Sequence, residues 1–148
     1  MPTMSESLWS LDTNILVYAT AIDTPDRKQR IAQDLLERLF LNPQACLAGQ
    51  VLSEYLSVVL RKKTMPPALA LETVNVWSQA ARVLDVSTET YQQAWKLAAT
   101  HHYQVWDALI IAICAEHGVK TLYSEDAGSL KKPLGVQVVN PFAELKTP

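Results

Sequence analysis

Several features are scarce in this sequence, and each scarcity excludes a class of protein. The 148 residues include only two cysteines and four glycines. Two isolated cysteines without a CxxC motif argue against a disulfide framework or a zinc site, so Cys46 and Cys114 are expected to be buried, reduced thiols. The longest uninterrupted apolar run, residues 108–115, is far too short to cross a bilayer.

Strong charge of either sign is also missing. The formal net charge is -2, which argues against a strongly basic nucleic-acid-binding surface but allows a local one. Residues 1–10 carry neither a basic stretch nor an apolar stretch of the kind found in signal peptides, so a cytoplasmic protein without a membrane anchor is expected. The hydrophobic fraction of 49% and the charged fraction of 19% are typical of a globular protein. The length predicts a single domain over residues 1–148.

Short apolar segments alternate with longer segments of helical periodicity along the chain. This alternation predicts an α/β fold, a three-layer sandwich around a central, mostly parallel five-stranded sheet. The last helix is apolar on nearly every side, which predicts that it is buried. A turn is expected at residues 127–128. The predicted strands are 8–11, 45–48, 82–86, 121–124 and 136–140, and the predicted helices are 13–19, 26–41, 50–63, 66–81, 87–101 and 106–117.

Four acidic residues occupy related positions in this pattern. Asp12 ends the first predicted strand, Asp126 follows the fourth, and Asp107 lies in the first turn of the buried helix. Because ligands of parallel α/β folds bind at the carboxyl ends of the strands, these three side chains are expected at one edge of the sheet. Glu54 lies roughly 110° from the centre of the apolar stripe of its helix and therefore borders that edge.

Each acid also has a purely structural explanation. A helix N-cap accounts for Asp12, the positive end of a helix dipole for Asp107, a turn before residues 127–128 for Asp126, and a solvated helix face for Glu54. Four separate structural roles explain the acids less well once they are expected at one edge, because clustered carboxylates resist ionisation unless a cation binds among them. Oxygen ligands suit Mg²⁺ or Mn²⁺, and such ions support phosphodiester hydrolysis without a side-chain nucleophile.

Four motifs, in order and at suitable spacing, resemble the PIN domain, and more narrowly the VapC-type toxins of bacterial toxin–antitoxin pairs. They are LDTNILVYA (11–19), QVLSEYL (50–56), WDALIIAICAEHG (106–118) and LYSED (122–126). The resemblance spans residues 8 to about 140 and implies a metal-dependent endoribonuclease that uses Mg²⁺ or Mn²⁺. The acids implied to be catalytic and to hold the metal are Asp12, Glu54, Asp107 and Asp126.

The resemblance also implies supporting residues and partners. Thr13 or Asn14 matches the polar position after the first aspartate, and Ser124 matches a Ser/Thr position two residues before the last acid. Such groups orient carboxylates or metal-bound water. The implied partners are an RNA substrate, a small antitoxin that covers the acidic groove, and a second copy of the chain in a homodimer.

Basic residues are needed to hold the phosphates that flank a cleavage site. Arg61 is the first candidate because it falls roughly 20° from Glu54 on the same helix projection. Lys62 follows it, and both are predicted to bind RNA. The weaker candidates are Lys63, Lys131, Lys132, Arg27, Lys28 and Arg30, of which the last three are favoured as solvated surface.

The remaining features favour structural roles. His101, His102 and His117 lie at helix ends, where the dipole accounts for them better than catalysis does. Trp106 is expected in the core, while Trp9, Trp77 and Trp95 fit either a core or an interface.

Two other functions stay open beside the nuclease. One is a nucleic-acid-binding or regulatory module that keeps the fold without turnover. The other is an aspartyl phosphatase or a phosphotransfer receiver with Asp12 as the phosphorylated residue. Phosphatases of that type need a second aspartate where this chain has Asn14, and receivers carry the phosphorylated aspartate on the third strand, so both fit poorly.

Overall fold

The computed structural model describes residues 7–126 and 130–143, and in it five strands form one sheet. The strand order is β3-β2-β1-β4-β5, and each neighbouring pair is parallel. The predicted sheet is therefore confirmed, and all of its pairs are parallel. The predicted turn at residues 127–128 lies outside the described residues. The strands are β1 (Leu8–Leu11), β2 (Ala45–Ala48), β3 (Arg82–Leu84), β4 (Val119–Tyr123) and β5 (Gln137–Val139).

Six α-helices flank this sheet in the described part of the chain, and each lies within two residues of its predicted ends. A short 3₁₀ turn at Pro133–Gly135 precedes β5 and was not predicted. Local sequence explains several boundaries: Pro66 comes just before α4, and Ser87 forms a capping box with Thr90 at α5. The helices are α1 (Thr13–Thr20), α2 (Asp26–Leu41), α3 (Gly49–Lys62), α4 (Pro67–Ala80), α5 (Thr88–His101) and α6 (Val105–Glu116).

The core lies on both faces of the central strands. All four residues of β2 are buried, and α6 is buried continuously from Ala108 to Cys114, as its composition predicts. Both cysteines are free and buried, which confirms that expectation. Burial raises the pKa of the Cys46 thiol to about 11 and raises the pKa of the Cys114 thiol further, so both thiols stay protonated near neutral pH.

The prediction for Trp106 is wrong. Its side chain is 63% exposed, because it lies in the first turn of α6, before the segment that the sheet and α5 cover. Trp77 is buried against Tyr55, whereas Trp95 is exposed and stacks on Tyr91. Among the described residues, no helix has the length and apolar character that a membrane crossing requires.

The topology brings the polar strand ends together. The chain moves from β1 outward through β2 to β3, then crosses to the opposite side of β1 for β4 and β5. The direction of winding therefore changes between β1 and β4, which is where open α/β sheets form a crevice. Leu11 pairs with Tyr123 in this register, so the residues that follow them, Asp12 and Ser124, leave the sheet side by side.

Candidate active site

Asp12 both caps a helix and faces the crevice. Its Oδ1 accepts a hydrogen bond from the backbone N–H of Thr13 at 2.7 Å, which makes it the N-cap of α1. Its Oδ2 accepts a second bond from Ser124 Oγ, also at 2.7 Å. The capping explanation is thus correct, but it accounts for only one of the two carboxylate oxygens.

Ser124 ties the end of β4 to this aspartate. Its side chain is fully buried, and its Oγ accepts a hydrogen bond from the Asp126 N–H at 3.1 Å. The Ser124 N–H donates to the carbonyl of Val139 in β5 at 2.9 Å. The turn after β4 is therefore fixed to both neighbouring strands, and it brings Asp126 to the same side as Asp12.

Glu54 reaches the crevice from α3 and is held by two donors. Its Oε1 accepts a hydrogen bond from Gln50 Nε2 at 2.8 Å and lies 3.4 Å from Thr13 Oγ1. Gln50 Nε2 also donates to the carbonyl of Trp106 at 3.0 Å, one residue before Asp107. One amide thus links the glutamate on α3 to the first turn of α6.

Burial and the charges of neighbouring acids both affect the pKa values of the pocket acids. Burial raises the pKa of Asp12, Glu54 and Asp107 above their ordinary values. The negative charge of Asp12 raises the pKa of Glu54 and of Asp107 further, and the charge of Asp126 raises those of Asp12 and Asp107. Hydrogen bonds from Ser124 and Thr13 act in the opposite direction on Asp12. Each of these three carboxylates is therefore harder to ionise while no cation is near.

All four acids line one open pocket of about 300 Å³. The predicted RNA-binding residues Arg61 and Lys62 lie on its rim at the end of α3. Lys63 instead borders a separate depression beside Met65. The lining residues of the carboxylate pocket are Asp12, Thr13, Asn14, Val17, Tyr18, Glu54, Val58, Arg61, Lys62, Asp107 and Asp126.

The donor set suits a hard divalent cation, although the side chains do not yet enclose one. In residues 7–126 and 130–143, no three acidic, histidine or cysteine side chains converge closely enough to hold a metal ion as they stand. All the candidate ligands are oxygens, as Mg²⁺ and Mn²⁺ prefer. Asn14 Oδ1 is buried and accepts no hydrogen bond from the described residues, so a polar oxygen at this pocket still lacks a partner.

Other predicted residues lie elsewhere. Lys28 is not a solvated surface residue, because its ammonium pairs with Glu125 and its side chain is only 22% exposed. This ammonium also lies over the ring of Tyr18, a contact that no sequence pattern indicated. The hydrogen bond from Gln50 to Glu54 was not predicted, although the sequence indicates it, since Gln50 lies one helical turn before Glu54. His117 Nε2 contacts the Asp85 carbonyl at 2.8 Å, away from the pocket.

Sequence comparison decides the family. The profile of the PIN domain matches residues 10–133. The chain belongs to the PIN domain family. The resemblance predicted from the four motifs is thereby confirmed, and the observed sheet agrees with a PIN fold. No curated protein matches this PIN domain sequence significantly.

Solved structures share the fold of this PIN domain protein. VapC20 of Mycobacterium tuberculosis, described as a sarcin–ricin loop cleaving toxin, is 22% identical, with a TM-score of 0.66 over 80% of this chain and 90% of its own. VapBC2 of Rickettsia felis, bound to a promoter DNA fragment, is 20% identical, with a TM-score of 0.66 over 90% and 98%. DNA-bound VapBC of Salmonella typhimurium is 18% identical, with a TM-score of 0.66 over 91% and 98%. At identities this low, the structural likeness shows a common fold and nothing more.

Proposed function

We propose that this PIN domain protein is a divalent-metal-dependent endoribonuclease that hydrolyses RNA phosphodiester bonds. The observation that carries the proposal is the set of four carboxylates at one pocket, three of which have raised pKa values. Ion pairs recorded in the described residues join Lys28 to Glu125 and Arg38 to Asp34, and neither involves the pocket acids. A divalent cation bound by the four acids would compensate this negative charge.

The proposed metal ligands are Asp12, Glu54, Asp107 and Asp126. When bound, Mg²⁺ or Mn²⁺ supplies an activated water and neutralises charge on the phosphate. The protein's own contribution is orientation. Ser124 and the Thr13 N–H hold the Asp12 carboxylate, while Gln50 and the Thr13 hydroxyl hold Glu54. Asn14 brings to the same pocket an amide oxygen that has no hydrogen-bond partner among the described residues.

RNA approaches this pocket along its basic rim. Arg61 and Lys62 are exposed at the end of α3, and both line the pocket. We assign them to the phosphates that flank the scissile bond. The net charge of -2 for the whole chain means that few other cations help, so binding relies on a small number of phosphate contacts.

The proposed biological role is that of the toxin in a toxin–antitoxin pair in the cytoplasm. Support comes from the structural neighbours, which include a toxin–antitoxin complex from Klebsiella pneumoniae and a toxin that cleaves the sarcin–ricin loop. The proposed partners are accordingly an RNA substrate, a cognate antitoxin protein and a second copy of the chain in a homodimer. The alternative is a non-catalytic module that binds nucleic acid through the same rim.

Calorimetric titration with Mn²⁺ tests the proposal without knowledge of the RNA. Wild type is expected to bind Mn²⁺, and Asp107→Asn to bind it at least about tenfold more weakly, since one ligand charge is lost. Asp34→Asn is the matched control, because this exposed aspartate on α2 pairs with Arg38 away from the pocket. Wild type that binds neither Mn²⁺ nor Mg²⁺ would contradict the proposal, and RNA binding without cleavage would favour the non-catalytic module.

A further inference from the structure

Glu125, the neighbour of Asp126, takes part in a cluster that the proposed function does not use. The cluster joins Tyr18 of α1, Lys28 of α2 and Phe142 near the end of the described chain. We propose that Lys28 and Tyr18 are positioning residues that hold Glu125 and thereby direct Asp126 into the carboxylate pocket. This inference rests on the proposed function, because it assigns a task to residues outside the proposed ligand set.

Both oxygens of the Glu125 carboxylate are engaged. Tyr18 Oη donates a hydrogen bond to Oε1, and Lys28 Nζ forms an ion pair with Oε2 at 2.5 Å. The Lys28 ammonium also lies 3.9 Å from the centre of the Tyr18 ring and 5.2 Å from that of Phe142. The two rings meet edge to face at 5.5 Å. A carboxylate bound through two oxygens to two helices has little freedom to rotate.

Partial burial makes this pairing stronger than an ordinary surface ion pair. The side chains of Lys28 and Glu125 are 22% and 33% exposed, and aromatic rings cover the ammonium. Attraction between charges rises as water is excluded, and a cation–π contact adds to it. The Asp34–Arg38 pair on the same helix is 55% and 65% exposed, so it is worth little. Lys28 and Tyr18 together form a clamp on Glu125, and this clamp is able to resist rotation of the turn.

The turn after β4 transmits this constraint to Asp126. Glu125 reaches outward to α1 and α2, while the next residue, Asp126, lines the pocket. Ser124 anchors the near side of the turn through its bonds to Asp12 and to the Asp126 N–H. Because Ser124 and Glu125, the two residues that precede Asp126, are both held by other elements, these contacts constrain the backbone that leads into Asp126.

The loss of charge and the loss of positioning predict opposite effects on Mn²⁺ affinity when Lys28 is removed. Loss of a positive charge near the pocket would by itself strengthen binding of a cation. Loss of a positioning contact weakens it, since groups that orient metal ligands typically contribute 10- to 100-fold in affinity. We expect Lys28→Gln to weaken Mn²⁺ binding about tenfold. Tyr18→Phe should weaken it less, and Lys28→Arg should restore most of it, because arginine keeps the ion pair and the ring contact.

Calorimetric titration of each variant with Mn²⁺ measures these changes in affinity. Arg30→Gln is the matched control, as it removes the same charge from an exposed position on the same helix. Its Mn²⁺ affinity should equal that of wild type. A thermal unfolding curve for each variant separates stability from positioning. Lys28→Gln that loses stability yet binds Mn²⁺ as tightly as wild type, or more tightly, would overturn the inference.

Hydrogen–deuterium exchange separates this inference from the proposed function. Amides of residues 122–126 should exchange faster in Lys28→Gln than in Arg30→Gln, with or without Mn²⁺. If wild type binds Mn²⁺ and exchange is unchanged in Lys28→Gln, the clamp fails while the proposed function stands. If wild type binds no Mn²⁺, the proposed function fails and so does any role of the clamp in metal binding.

Discussion

One carboxylate and a set of four lie beside each other at the same edge of the sheet, and they differ in how their negative charge is balanced. Glu125 is satisfied within the protein by a lysine and a tyrosine. One residue along the chain, Asp126 joins a pocket in which the charges of Asp12, Glu54 and Asp126 raise the pKa of neighbouring acids. The contrast shows that a lysine pairs with an acid at this edge of the sheet, whereas neither ion pair found among residues 7–126 and 130–143 involves an acid of the pocket.

This difference bears on what the pocket is for. A buried or partly buried carboxylate that serves only structure is normally paired or hydrogen-bonded, as the partly buried Glu125 is. Leaving several partly buried carboxylates together costs stability, which proteins accept at functional sites.

Asp12→Asn is expected to have the largest effect. Asparagine caps a helix about as well as aspartate does, so the α1 N-cap and the fold should remain. The ligand charge is lost, and RNA cleavage should fall at least about 100-fold, equivalent to roughly 3 kcal/mol. Cleavage of an RNA pool with Mn²⁺ and circular dichroism on the same sample measure both parts.

Glu125→Gln is the companion variant for this test, because it removes the charge of the compensated acid. Its cleavage rate should fall by no more than about tenfold. Equal rates for Asp12→Asn and wild type would show that the aspartate is only a cap.

Ser124→Ala should change how metal binding depends on pH. The Ser124 hydroxyl lowers the pKa of Asp12, so its removal raises that pKa further and shifts Mn²⁺ binding to higher pH. The unfolding free energy should also drop by about 1–2 kcal/mol, since a buried hydrogen bond is lost.

Ser10→Ala provides a control of the same kind for Ser124→Ala. Ser10 is equally buried and donates to the Cys46 carbonyl at 2.6 Å, away from the acids. It should lose similar stability without any shift in the pH dependence of Mn²⁺ binding. Identical pH profiles for the two variants would mean that Ser124 does no more than pack. Mn²⁺ titrations between pH 5 and 8, with urea unfolding alongside, measure both quantities.

The sequence was sufficient for the residues whose positions follow from local pattern and topology. Asp12 and Asp126 follow strands that the apolar pattern predicts, and parallel pairing brings them to one edge. Helical periodicity placed Glu54 and Arg61 on one rim, and both line the pocket. Their chemical roles as ligands and RNA contacts stay predictions.

The positions that the sequence did not predict depend on tertiary contacts. Trp106 belongs to an apolar helix, but exposure of its first turn depends on where the sheet ends, which periodicity does not encode. The pairing of Lys28 with Glu125 joins residues 97 positions apart in sequence, and nothing in either local pattern marks the other. Lys28 therefore matched the pattern of a solvated lysine, although its ammonium is covered by aromatic rings.

The smallest expected effect concerns the stability of the metal-free protein. The pKa of Asp107 in the folded state is raised above its ordinary value of 3.8 by burial and by the other three acids. The folded state therefore holds this proton more tightly than the unfolded state, and the unfolding free energy falls as pH rises from the ordinary value through the raised one. Because the side chain is only partly buried, solvent screening limits this penalty to about 1 kcal/mol.

Asp107→Asn removes that penalty, so in EDTA at pH 7 the variant should be about 1 kcal/mol more stable than wild type. The gain should shrink as the pH is lowered to 4, toward the ordinary pKa of 3.8, because a larger fraction of wild-type Asp107 is then protonated. Saturating Mn²⁺ should reverse the order, since only wild type gains the full binding free energy. Urea unfolding under these three conditions measures the signs, with Asp34→Asn expected to change little in each. A variant less stable than wild type in EDTA at pH 7 would indicate that the carboxylate serves the helix dipole of α6 more than a cation site.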